Sequence, residues 1–308
     1  MPSRPEMGIV NHEVLSLPEM MFIPSGLVYL GSTNKEIDWI VGEFHYHARS
    51  WYEDEIPQRK VKVQGYFIDT FPVTNAKFNE FVKSTGYVTL AELQRFGCIY
   101  TDHGWKELDG ACWKHPIGPR STILDRLDHP VVHMSHFDAL KYAQWAGKRL
   151  PTEPEWERAA KGDNNVRWPW GNEWDLKRTN SAEYWAGIEI KNLAVWKQWW
   201  AEEYLHYGGM PKTTPVSYFP QNRSYFGVYD LSGNVYEILQ DNYPKYDNDR
   251  KYAEMYEFLF GRYKSMRGGS WMNFRYQIRC SERMAIYPKF SNFATGFRCA
   301  KDSYEKTN

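Results

Sequence analysis

The run Asp230-Leu-Ser-Gly-Asn-Val-Tyr-Glu237 places two carboxylates on either side of a glycine-containing turn. An irregular loop of this kind can gather two carboxylates and several backbone carbonyls around one point, which is the oxygen-rich coordination calcium takes. The competing reading is a turn in which Asp230 and Asn234 bond backbone amides while Glu237 makes a buried salt bridge.

A second constellation lies near the end of the chain, in Arg267-Gly-Gly-Ser-Trp-Met-Asn273 and the residues after it. Ser270, Trp271, Asn273, Arg275, Tyr276, Arg279, Glu282 and Arg283 form a polar cluster on or beside an expected cleft. Such a set could hold an extended peptide or an anionic small molecule through charge-assisted hydrogen bonds. Arginine and glutamate also tie backbone segments together in loop-rich folds, so binding and structural readings both stand.

Histidines suggest a transition metal at two places, His45 with His47, and His129, His133 and His136. Histidines at alternate positions of a strand share a face and can join a carboxylate around an ion. Neither group has an identified third ligand, and His133 reads more simply as a core residue. No Gly-x-Ser-x-Gly elbow, Cys-His pair, phosphate loop or dinucleotide glycine pattern is present. Four cysteines among 308 residues do not make a disulfide scaffold. The pairing of Cys98 with Cys112, and of Cys280 with Cys299, stays open.

The elements that must position these residues show in the hydrophobic pattern. Met20-Met-Phe-Ile-Pro-Ser-Gly reads as a short strand and turn leading to Tyr29-Leu-Gly-Ser, and Val61 to Ile68 alternates at first, as a half-buried strand should. A helix is expected after Thr74 or Asn75, on the spacing of Phe78, Phe81 and Val82. A second covers Asp138 to Ala146 and stops at Gly147, and a third opens on Thr152 with Pro154 and Glu155 in its first turn. Cys98 to Cys112 reads as a hairpin around Asp102-His-Gly104, and Ile188 to Tyr207 as an inserted, tryptophan-rich helix.

Lysine plus arginine equals aspartate plus glutamate, 38 each, so no global field steers the chain toward nucleic acid or an anionic membrane. Neither a signal peptide nor a membrane-spanning run is visible, and a cytoplasmic location is expected. With 14 tryptophans and 22 tyrosines the chain can build a core from large amphipathic rings without long helices or sheets.

Four segments together carry a family resemblance: Gly147-Lys-Arg-Leu-Pro-Thr-Glu-Pro-Glu-Trp156, Pro169-Trp-Gly-Asn172, Leu231-Ser-Gly-Asn-Val-Tyr-Glu237, and Arg267-Gly-Gly-Ser with Gly296-Phe-Arg-Cys299. The chain resembles the formylglycine-generating enzyme, or sulfatase-modifying factor, family from about Met20 to Lys301. The resemblance implies an α+β fold, the family's variant of the C-type-lectin-like fold with much irregular structure. It also implies a polar arm at 1–18, one domain at 19–308 and an insertion at about 188–207.

In a copper-dependent member, two cysteines after the Gly-Gly-Ser oxidise a client cysteine to formylglycine. Asn273 matches the first of them, and Asn273-Phe-Arg-Tyr-Gln-Ile-Arg279 has no counterpart of the second. An amide is a hard, neutral, weak ligand where copper(I) selects thiolate, so copper is not expected. Iron, used by related sulfoxide synthases, lacks the helical-bundle domain that carries their histidines.

For calcium, the resemblance assigns side-chain oxygen to Asp230 and Glu237 and carbonyls to Leu231, Gly233 and Val235. A second, weaker site would use Asn180 and the carbonyl of Ser181, with an acidic partner missing near Gly208. Positions matching Cys280 and Cys299 are bridged in secreted relatives to positions matching Ala143 and Ala159, so those bridges are lost here. Two functions follow: an oxidoreductase-derived protein of altered chemistry, or a noncatalytic module presenting its cleft to a peptide, protein or small ligand.

Overall fold

The computed structural model describes residues 17–44, 48–207 and 211–303. His45, His47 and Gly208, and most of the expected N-terminal arm, lie outside the described residues.

The chain opens with strands β1 (Met20–Ile23) and β2 (Gly26–Leu30), followed by helix α1 (Asn34–Glu43), whose first turn is capped by Thr33. The stretch read as one strand from Val61 to Ile68 is two, β3 (Arg59–Val63) and β4 (Tyr66–Asp69). The alternation stops at Gly65, and the halves serve different sheets: β3 pairs with β2, β4 with β1.

Helix α2 (Asn75–Thr85) starts from Thr74, whose hydroxyl accepts the Lys77 amide, and ends at Gly86. A short α3 (Leu90–Gln94) leads to the hairpin β5 (Phe96–Thr101) and β6 (Gly104–Asp109), paired from Phe96↔Asp109 to Thr101↔Gly104.

Helix α4 (His136–Trp145) begins two residues before the expected start, because Ser135 and Asp138 form a reciprocal capping box. Thr152 and Glu155 do the same for α5 (Glu153–Lys161). After α6 (Ala182–Ala186) comes helix α7 (Leu193–Tyr207), within the stretch expected to be helical. The chain then forms β7 (Tyr236–Asn242), α8 (Glu254–Leu259), β8 (Lys264–Arg267), β9 (Arg283–Ile286), β10 (Thr295–Gly296) and β11 (Ala300–Asp302).

One sheet runs β1-β4-β11 and another β10-β7-β8-β9. The expected α+β class holds. Around these small sheets the backbone is tied together by arginines with no exposed side-chain surface: Arg267 to Glu153 and Glu157, Arg279 to Glu55, Arg283 to Glu153, Arg298 to Glu237. Buried ion pairs of this kind cost desolvation, so they fix one arrangement of the loops more than they add stability.

Candidate functional site

The 230–237 loop is built on two left-handed side-chain residues, Asp230 (φ 55°) and Asn234 (φ 66°), with Gly233 between them at φ 82°. At Gly233 a Cβ would stand 2.2 Å from the Asn180 carbonyl oxygen, so only glycine fits.

Asn234 Oδ1 accepts the Thr214 amide at 3.0 Å and the Asn180 side-chain amide at 3.1 Å. Asn180 in turn gives its other bonds to the Lys212 carbonyl and receives the Trp185 indole N–H at 2.7 Å. Ser181 caps α6 by accepting the Tyr184 amide. The two expected calcium regions are thus one contiguous polar web, joined by Asn180.

Glu237 sits at its inner end with both oxygens committed. Arg298 grips it in a two-pronged pair, Nη2 to Oε1 at 2.6 Å and Nε to Oε2 at 2.7 Å, and the Trp156 indole N–H reaches Oε2 at 2.7 Å. Asp230 Oδ2 accepts the Ser217 amide at 3.1 Å, while its buried Oδ1 has no partner. Burial raises the Asp230 carboxyl to about 6 against the opposing Ser217 bond.

In this arrangement Asp230 Oδ1 is the one uncommitted carboxylate oxygen of the loop, and among the described residues no three His, Cys, Asp or Glu side chains gather as a metal site. The Leu231, Gly233 and Val235 positions supply turn geometry around Asn180 and Gly268.

The 270–283 segment is folded largely into the protein. Asn273 Oδ1 accepts both the amide and the hydroxyl of Ser270, at 3.0 and 2.6 Å, and its own amide donates to Gln277 at 3.0 Å. Its carbonyl accepts the Ala182 amide. Trp271 and Tyr276 are core residues, 1% and 2% exposed.

Arg279 donates to both oxygens of Glu55, and Arg283 to both oxygens of Glu153 while lying about 4 Å over the Tyr243 and Tyr246 rings. Glu282 accepts only a long bond from Tyr236, and burial together with nearby Glu55 raises its carboxyl well above the usual range. Arg275 alone of the three arginines reaches the surface, paired with buried Glu183 and half-exposed Glu189. Of the eight expected cleft residues, Asn273 and Arg275 are the two that are not buried.

Over residues 7–303 the chain matches the sulfatase-modifying factor enzyme 1-like domain. The chain belongs to this family. Formylglycine-generating enzyme of Mus musculus is 34% identical, with 94% of this chain and 76% of that protein covered. Inactive C-alpha-formylglycine-generating enzyme 2 of the same organism is 32% identical over 93% of this chain and 86% of its own. Among solved structures, PvdO from Pseudomonas aeruginosa shares the fold at a TM-score of 0.61 and 23% identity, covering 93% of this chain and 95% of its own.

Within this member of the family helix α7 has a defined place. Trp196 of α7 donates its indole N–H to the Met272 carbonyl at 2.6 Å, and Trp200 donates to the Thr101 carbonyl at 3.1 Å. Trp200 also packs against Trp271 and Phe293 at ring separations of 5.6 and 6.4 Å. Helix α7 is therefore a roof over the segment that precedes Asn273. A cavity of about 260 Å³ remains where the β5–β6 turn meets α7, bounded by Tyr100, Asp102, His103, Trp196, Lys197 and Trp200.

His133 Nε2 contacts the Pro116 carbonyl, His129 Nδ1 contacts Thr213, and burial lowers His129, His133 and His136 each to about 4, leaving them neutral. All four cysteines are free and buried. Burial raises the Cys98 thiol to about 11 and pushes Cys112, Cys280 and Cys299 upward too. Cys280 shares a core cluster with Ala159, and Cys299 shares one with Ala143.

Two contributors to the site escaped the sequence reading. Arg298, inside the Gly296-Phe-Arg-Cys299 motif, closes on Glu237 from 61 residues away. Glu183, in an unanticipated short helix, is the partner that holds Arg275. Neither pairing has a local spacing signal.

Proposed function

We propose that this chain is a non-oxidising member of the family that uses the fold to bind a peptide, protein or small ligand. The observation that carries the reading is the Asn273 side chain. It stands where the copper-dependent relatives place a cysteine, and it is engaged on both sides as a turn fastener to Ser270 and Gln277.

Two further features support it. The four thiols are buried and shifted toward the protonated form, the reverse of what a thiolate ligand or nucleophile needs. The similarity to a relative described as inactive is as extensive as that to active ones. Free cysteines also fit the reducing, cytoplasmic setting expected from the sequence.

The test is incubation of the purified chain with copper(I), oxygen and a cysteine-containing sulfatase peptide, followed by mass spectrometry with an aldehyde trap. No aldehyde is expected. Enzyme-dependent aldehyde would overturn the reading and restore an oxidase.

A further inference from the structure

We infer that a groove built from residues 161–171 and 220–225 docks an extended peptide in which an acidic side chain lies beside a proline or aromatic residue. The inference rests on the binding reading above and gives it a location outside the 270–283 segment.

The groove encloses about 570 Å³, within the range of sites that hold small ligands or short peptide stretches. Its lining includes Pro169, Trp170, Pro220 and Tyr225. Trp170 is a prepared platform. Its ring stacks on buried Trp168 at 6.2 Å with planes 7° apart, and its indole N–H is held by the Glu173 carbonyl at 3.1 Å. Tyr225, in the same lining, is 67% exposed, and its stem lies so close to Gly162 that a Cβ there would meet the Tyr225 Cβ at 2.7 Å. Aromatic and proline walls of this kind suit proline or aromatic side chains, whose burial costs little conformational entropy.

The polar groups select the charge. Arg223 lines the groove, exposed and without a hydrogen-bond or ion-pair partner among the described residues, on a backbone fixed by its bridge to Tyr229. A guanidinium so placed fits one carboxylate in a two-pronged pair.

Lys161, also in the lining, is unavailable. Its ammonium is spent on Glu157 at 2.7 Å and on the Tyr29 and Gly31 carbonyls. Asp163, next in sequence to the lining, is paired with Arg158 at 3.2 Å. One free cation excludes a polyphosphate backbone, which needs several. The side-chain amides of Asn164 and Gln221, both exposed and unpartnered among the described residues, offer the alternating donors and acceptors that an extended peptide backbone requires.

The experiment is selection from a displayed random dodecapeptide library on the full chain. Anisotropy with one labelled synthetic peptide from the enriched set then compares parent, Arg223→Ala, Tyr225→Ala and Asn273→Ala. Enrichment of Asp or Glu beside Pro or an aromatic residue is expected, with affinity about tenfold or more lower in Arg223→Ala and Tyr225→Ala at unchanged thermal unfolding. Enriched peptides without an acid would overturn the proposal. So would affinity that ignores both groove variants; if it falls instead in Asn273→Ala, the binding reading survives at another place. Failure to enrich any peptide also overturns the proposal, whereas the reading beneath it is overturned by aldehyde formation in the copper assay and not by this selection.

Discussion

Asn273 and Ser270 close a four-residue turn on each other: the Ser270 amide and hydroxyl both donate to Asn273 Oδ1, and the Asn273 amide donates back to the Ser270 carbonyl at 2.9 Å. The Asn273 side chain is here part of the scaffold. Asn273→Ala leaves the Ser270 donors without their acceptor and should cost about 1–2 kcal/mol, measured by denaturant unfolding. An unchanged midpoint would mean that the turn does not depend on the side chain.

Glu237 and Arg298 give the second prediction. Glu237→Gln breaks a fully buried pair and strands the Arg298 guanidinium, a loss of about 3 kcal/mol or more. The loss should be the same in chelator and in millimolar calcium. A loss confined to the calcium condition would make a cation, and not Arg298, the main partner of Glu237.

Asp54 sets a pH dependence. Burial raises its carboxyl to about 7 despite nearby Arg283, and the Tyr243 hydroxyl donates to it. The folded state therefore holds a proton that the unfolded chain has released above about 3.8. Its contribution to stability is complete below that value and is lost as pH rises through 7.

Neutral His129, His133 and His136 act oppositely. Their contribution is present above 6.5 and lost as pH falls through about 4. Between these limits the slopes oppose each other, and above 6.5 the Asp54 loss continues alone among these four groups. Asp54→Asn should gain on the parent by about 2 kcal/mol between pH 5 and pH 8, read from paired unfolding curves. A gap that does not change with pH would place the Asp54 proton elsewhere.

The roof formed by α7 predicts a packing effect. Trp196→Ala removes a buried ring and the indole bond to Met272, and should destabilise by about 3–5 kcal/mol. It should also open the 188–207 segment to limited proteolysis before the rest of the chain. Cleavage no faster than in the parent would show that the roof is held without Trp196.

What could be read from the sequence follows from range. Thr74 and Thr152 are caps whose partners lie three residues away, and each starts its helix as expected. The Cys98–Cys112 hairpin appears with its turn at Thr101–Gly104, for the same local reason. The split between β3 and β4 was missed because the alternation up to Gln64 carries no sign that the pairing partner changes from β2 to β1 beyond Gly65. The cluster from Ser270 to Arg283 was found, yet its burial was not visible. Whether an arginine faces solvent or an acid depends on Glu55 and Glu153, more than 120 residues away. The groove around Trp170 and Arg223 needs two distant loops to meet and left no motif.

Elemental analysis of the chain purified without chelator or affinity nickel, counting copper, iron, zinc and calcium per chain, tests the central claim most directly. A non-oxidising binding protein predicts copper and iron far below one per chain, before and after incubation with either metal. Stoichiometric copper or iron that survives dialysis would contradict it.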